Sequence, residues 1–389
     1  MRDNKVNVLK KMLGMLLVTP ILLSLSLFAA NPVHHWKLDE TAGSIYEDTG
    51  TIGDANGTCT SPDSCPTPSD GQVYGAQSFD GNDTIEIANT VDFDWAPDAN
   101  VTIEFWMKSS NIPEGILYGD MMIGRATSVV KWYVGVDPLV GAIRAQVADG
   151  NLGNGVTGTA IIANGQWNHI AYVLKPGQVR VYVNGENDFN ISRTATDLTC
   201  DTNVTIGTLD YTTTIDWSYT GQLDDIKFYA TDLNGTTIKE HYMDGLKPHL
   251  LEVTPVPTPT DNDTPDYTFS SDKNGTIEIS GCMSATATPA IAIGDTDTTI
   301  TFDPLFDGTY DDCNITVTST ETDSNGTVSD PLAVSSFVVD TTVPAPEPTV
   351  SSGGGGGCTY NPDSKHFDMV FLLMIALGLF YPVRRRFIK

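Results

Sequence analysis

Short runs of β-branched and aromatic residues, separated by turn formers, dominate the chain from residue 31 to residue 344. VTIEFWM (101–107), IAYVL (170–174), VRVYV (179–183) and IKFY (226–229) are such runs, and Asn184-Gly185 and Asn234-Gly235 are turn dipeptides beside them. No long stretch repeats its apolar residues with the helical period, so an all-β chain is expected. One short helix is expected at Thr236–Met243, where Ile238 and Tyr242 fall four apart on one face.

The 389 residues leave room for two to three domains. Composition breaks divide them as follows: 1–30, 31–247, a linker at 248–265 with five prolines, 266–344, a Pro/Gly/Ser-rich stretch at 345–366, and 367–389. Lys5, Lys10 and Lys11 precede the apolar run Met12–Ala30, which closes on Phe28-Ala29-Ala30. That order describes a secretory signal peptide, with an uncleaved anchor as the alternative. The last segment is a short apolar run, Met369–Val383, followed by Arg384–Arg386. The arginines are expected to stay on the cytoplasmic side and leave the body outside.

The charge agrees with an exported body. The chain holds 49 acidic and 21 basic residues, a net charge of −28. Nine of the 21 cations sit at the two ends, so residues 31–362 carry 46 acids against 12 cations. A nucleic-acid partner is excluded, because phosphate binding needs a basic patch. The hydrophobic share of 40% still supplies a packed core.

Spaced phrases in the first block resemble the laminin-G-like, concanavalin A-like lectin jelly roll. They are HHWKLDE (34–40), DTG (48–50), SFDG (78–81), TIEFWMK (102–108), WYVGV (132–136), QWNHIAYVL (166–174), RVYVNG (180–185) and GQLDDIKFYATDL (221–233). The second block, with DYTFSSDKNGTIEISG (266–281) read as a hairpin around Asn274-Gly275, resembles a bacterial immunoglobulin-like sandwich. Gly353–Gly357, Cys358, the apolar run and the arginines resemble a bacterial three-part C-terminal sorting tag, from which Pro382 departs. Under that resemblance Gly357 and Cys358 mark the processing point, and export and sorting machinery are partners. A plain membrane anchor is the alternative.

Catalytic signals are absent. Glucanases of the jelly-roll superfamily carry E-x-D-x-x-E on one strand face, and nothing here matches it. Glu86 and Glu104 are single carboxylates that read as strand positions, and His169 reads as a core residue. The chain is therefore expected to be no enzyme. The resemblance implies one calcium ion, with Asp48 and Asp224 as candidate ligands. Trp95, Trp132 and Trp217 lie near loops and are candidate glycan platforms, whereas Trp36, Trp106 and Trp167 read as core. Cys282 with Cys313 and Cys59 with Cys65 are expected disulfides, and Cys65 with Cys200 is an alternative pairing.

Ten asparagines begin Asn-x-Ser/Thr: Asn56, Asn82, Asn100, Asn190, Asn203, Asn234, Asn262, Asn274, Asn314 and Asn325. All but Asn262 have Asp two residues earlier, whereas of the other twelve asparagines only Asn151 does. This pattern resembles the extended acceptor of bacterial periplasmic oligosaccharyltransferases, so those nine are expected glycosylation sites. The combined expectation is an exported surface glycoprotein that binds a glycan or a matrix ligand without catalysis. A structural surface component is the alternative, and a glycan hydrolase the weakest one.

Overall fold

The structure is a computed structural model and describes residues 30–60, 62–112, 119–147, 155–192, 197–209, 217–282 and 286–342. The signal segment before residue 30, Gly357, Cys358 and the basic tail lie outside them. No helix among the described residues is long and apolar enough to cross a membrane.

The expected all-β architecture is present, and the first part is a sandwich of two eight-stranded antiparallel sheets. One sheet runs Glu186–Ser192, Gln178–Val183, Trp167–Lys175, Val101–Lys108, Thr220–Tyr229, Gly75–Asp80, Thr67–Asp70, and His34–Trp36 also pairs with Thr220–Tyr229. The facing sheet runs Val156–Ile161, Ala142–Val147, Val130–Val136, Asp120–Ala126, Val204–Ile206, Ile85–Ile87, Gly57–Thr58, Ile45–Tyr46. Alternation along each strand fixes which side chains enter the core between them. Ile103, Phe105 and Met107 meet Ile170, Tyr172 and Leu174 there, with Trp36 and Trp132.

The other side of the first sheet is covered too. The helix Gly235–Gly245 lies over it and packs Ile238 against Ala171, Val173, Tyr182 and Tyr229. Asn234 caps this helix by accepting from the amides of Thr236 and Thr237, so Asn234-Gly235 is a helix start rather than a hairpin turn. Gly245 permits the close approach, because a Cβ there would lie 2.6 Å from Trp106. Asn184-Gly185 is the expected tight hairpin, with φ of 52° and 77°.

Residues 250–342 hold two four-stranded sheets and a two-stranded one around a separate core of Tyr267, Phe269, Ile300, Phe302, Ile315, Val317 and Phe337. Here one expectation fails. Asp266–Ser271 and Gly275–Ser280 belong to different sheets, so Asn274-Gly275 is no hairpin tip. The reason is local: Asp272 and Lys273 are buried in a corner. His249 bonds to Asp272, and the Lys273 ammonium reaches the Gln72 carbonyl. Neither Asn274 nor Gly275 takes the positive φ that a two-residue hairpin turn demands.

Candidate functional site

Strand register assembles a pocket on the covered side of the first sheet. On Val101–Lys108, Glu104 and Trp106 point away from the inter-sheet core. Glu104 sits opposite Ala171 on one neighbour and Lys227 on the other, and Trp106 sits opposite His169 and Asp224. A register shift between Asp224 and Lys227, with Asp225 at φ 53°, turns the Asp225 carboxylate into the same space. The helix adds His241, the first strand adds His35, and the cavity they enclose with Lys37, Asp39, Tyr74, Tyr229 and His249 holds about 370 Å³.

Two carboxylates anchor it. Glu104, 1% exposed, takes a hydrogen bond from His241 Nδ1 at 2.7 Å, and its other oxygen lies 4.0 Å from His169 Nε2 without a hydrogen bond. Asp225 sits between His35 Nε2 and Lys227 Nζ, each at 2.5 Å. Burial would raise the Asp225 carboxyl, but Lys227 and His35 hold it well below the ordinary range. Its neighbour Asp224 behaves in the opposite way: burial, with Asp225 beside it, pushes it well above that range. Burial also takes the His169 imidazole down to about 4 and lifts Asp39 to about 6. His169 is therefore neutral at pH 7, and its Nδ1, like Glu104 Oε1, has no protein partner. Trp106 packs on His169 with ring centres 5.1 Å apart, and Tyr229 stacks on His241 at 5.8 Å.

The sequence reading missed this pocket. Glu104 and His169 read as a strand position and a core position, although both sit on the pocket-facing side of their strands. The visible signal was the outward set Glu104–Trp106–Lys108, which interleaves with the apolar set Ile103–Phe105–Met107.

The proposed platform tryptophans are corrected. Trp95, Trp132 and Trp217 are 2%, 0% and 2% exposed. Trp95 stacks on Trp132 at 4.9 Å inside the main core, and Trp217 belongs to a smaller cluster with Met121 and Tyr133. Loop-adjacent position did not expose them, because large apolar rings are what the sandwich needs to fill its ends. Trp36 and Trp106 are buried as expected, whereas Trp167 is half-buried under the Lys108 ammonium.

The two calcium candidates differ in how far the protein already engages them. Asp48 accepts from the His34 ring and from the amides of His35, Gly50 and Ala55. Asp224, fully buried, accepts from the amides of Gln72 and Val73 through Oδ2 alone, and its Oδ1 has no hydrogen-bond partner. Cys59 and Cys65 form a disulfide, which removes the Cys65–Cys200 alternative. Cys200 is a free thiol. Cys282 and Cys313 are buried thiols that hydrogen bond to each other. Of the nine acidic-preceded acceptor asparagines, Asn56, Asn82, Asn100, Asn190, Asn203, Asn234, Asn274 and Asn325 are exposed and Asn314 is half-buried.

Comparison with known proteins agrees with the fold. Residues 79–239 match the model of the concanavalin A-like lectin/glucanases superfamily, of laminin G type. The first sandwich is thus a concanavalin A-like jelly roll. Among solved structures, the chain is similar to domain 4 of AbnA, an extracellular arabinanase from Geobacillus stearothermophilus, in complex with arabinotriose. The two share 18% identity over 54% of this chain and 98% of that one, with a TM-score of 0.39. It is also similar to the binding domain of Paraclostridial Mosquitocidal Protein 1, at 11% identity over 79% of this chain and 75% of that one, TM-score 0.46. The botulinum neurotoxin serotype D binding domain gives 12% identity over 75% and 73%, TM-score 0.41. No curated protein matches the chain.

Proposed function

We propose that this chain is an exported surface glycoprotein whose jelly roll binds a glycan without catalysis, in the pocket formed by Glu104, His169, His241 and Asp225. The observation that carries the reading is a pair of buried polar atoms, Glu104 Oε1 and His169 Nδ1, left unpartnered at a cavity of about 370 Å³. Buried polar atoms normally find a partner, so two orphans on one cavity favour a ligand that both donates and accepts. A sugar hydroxyl does both. The volume lies within the range of small-molecule sites, roughly 300–1,000 Å³. Of the aromatic residues lining the pocket, Tyr74 is the partly exposed ring that can meet the apolar face of a pyranose or furanose, with the buried Trp106 and Tyr229 behind the lining. A neutral glycan suits the strongly acidic body better than an anionic one.

Hydrolysis is disfavoured by how the carboxylates are used. A glycosidase needs one carboxyl free to protonate the leaving oxygen and a second to attack or to activate water. Both Asp225 oxygens are taken by His35 and Lys227, and Glu104 already holds His241. Binding of the purified exported chain to a glycan array, followed by titration of the best hit, tests the reading. Glu104→Gln and His241→Ala are expected to weaken that hit at least tenfold with unchanged circular dichroism. An array without any hit would leave a structural surface component in its place.

A further inference from the structure

The two adjacent histidines of the first strand face opposite ways. His35 enters the pocket described above, while His34 turns to the edge of the inter-sheet core, where its ring stacks on Trp36 and leans on Phe93 at 5.0 Å. His34 is 0% exposed and makes one strong hydrogen bond, from Nδ1 to Asp48 Oδ2 at 2.6 Å. Besides the His34 ring, Asp48 accepts from the backbone amides of His35, Gly50 and Ala55. A carboxylate with four donors can only accept, so Nδ1 carries the ring proton and the Nε2 lone pair points away from Asp48.

That lone pair faces two more acceptors. Nε2 has no hydrogen-bond partner, lies 3.6 Å from Asp92 Oδ2, and falls with carboxylate oxygens of Asp54 and Asp92 in a group whose atoms are all within 4.8 Å of one another. Asp54 is exposed and Asp92 partly exposed, so the group opens to solvent on that side. The loop bearing Asp92 is itself fixed. Trp95 Nε1 donates to the Asp92 carbonyl, and the buried Arg125 bonds to Phe93, Asp94 and Asn89. Asp92 Oδ2 accepts from the Thr90 hydroxyl at 3.3 Å, but no donor reaches Nε2, and a cation among the three acceptors removes their mutual repulsion.

We propose that His34 Nε2, Asp54 and Asp92 bind a divalent transition-metal ion, zinc(II) being the fitting occupant, with Asp48 as the residue that positions the imidazole. A neutral imidazole whose other nitrogen donates to a carboxylate is the usual state of a metal-bound histidine. One imidazole and two carboxylates suit zinc, with water in the fourth position, whereas calcium prefers oxygen ligands throughout. The inference is independent of the glycan reading, because none of these three residues lines that pocket.

Calorimetric titration of zinc chloride into the chelator-treated exported chain, and separately of calcium chloride, decides the matter. One zinc ion per chain is expected, with calcium binding at least 100-fold weaker. Asp54→Asn and Asp92→Asn should each weaken zinc about tenfold or more, and Asp48→Asn by roughly 10–100-fold through the ring orientation. His34→Gln should abolish uptake. If that variant fails to fold, the two exposed aspartate variants decide alone. His241→Ala, which alters the histidine-rich pocket, should leave zinc binding unchanged. No zinc uptake, uptake indifferent to Asp54 and Asp92, or a preference for calcium would each overturn the proposal. The first of these outcomes would leave a proton as the only cation at Nε2.

Discussion

The two sandwiches use the same strand chemistry and differ in what covers their sheets. Around the second core the strands alternate strictly: Gly275–Ser280 places every other residue in the core and the rest in water, as does Thr296–Phe302. In the jelly roll, Val101–Lys108 and Trp167–Lys175 are buried along nearly their whole length. A sheet with one face in water puts Thr, Asp and Glu on that face at no cost. A sheet with both faces covered must satisfy any polar residue inside, and Glu104, Asp225, Lys227 and His169 are therefore organised rather than merely tolerated. What the contrast teaches is where to look: polar residues matter most where a second layer has closed over them.

The largest expected effect tests that organisation directly. Asp225→Ala leaves the Lys227 ammonium without its carboxylate and should cost about 3–5 kcal/mol in urea unfolding. Lys227 keeps 26% of its side chain in water, which places the expectation at the low end. The same class of change on the open face, Thr299→Ala, should stay within about 0.5 kcal/mol. Equal losses at the two positions would erase the distinction.

The second sandwich has its own strengthening device. Its two thiols, Cys282 and Cys313, are adjacent and buried, and oxidation would close a loop of 31 residues by sequence separation. A disulfide there should add about 3–4 kcal/mol by loop entropy, lost on reduction and absent in Cys313→Ala. Non-reducing peptide maps should show the bond in exported protein.

A third difference is in pH response, since residues 250–342 contain no histidine. His169 titrates near 4 in the fold, against 6.5 unfolded. Between those values the unfolded chain binds the extra proton at this residue, so the His169 contribution to stability falls as pH drops from about 6.5 to 4, while Asp39, lifted to about 6 by burial, contributes in the opposite direction. The loss is on the order of 2–3 kcal/mol, and His169→Gln should remove that slope. An unchanged slope would mean that His169 is not held neutral by its burial.

The smallest effect concerns glycan occupancy. Asp188 bonds to Thr159 and Ala160, and Asp272 is buried against His249, so both acids are occupied in the folded chain. Asp98, Asp201 and Asp323 are exposed. Glycopeptide mass spectrometry on host-derived protein should therefore find Asn100, Asn203 and Asn325 modified more fully than Asn190 and Asn274, with Asn262 bare. Uniform occupancy would indicate that the acceptor is read before folding.

Much of the fold was legible because alternation and turn chemistry are local. The Asn184-Gly185 hairpin and the helix near Ile238 follow from a few neighbouring residues. The site was less legible because its members come from four separated strands and a helix, and register, not spacing, brings Glu104 beside Lys227. The tryptophans misled for a related reason. Nearness to a loop in sequence says little about which end of a sandwich needs filling. His34 and His35 were visible as a pair, but the opposite fates of adjacent strand residues depend on which face each meets.

The pairing of His34–Trp36 with Thr220–Tyr229 has a kinetic consequence. His34 sits opposite Phe228, 194 residues further along the chain. Among the described residues the first strand therefore makes the pairing of greatest sequence separation, and contacts of such separation form slowly. Until Phe228 has been made, His34–Trp36 has no strand to pair with and the Trp36 ring lacks its edge contact with Phe228. Docking of that short strand brings both histidines into place at once.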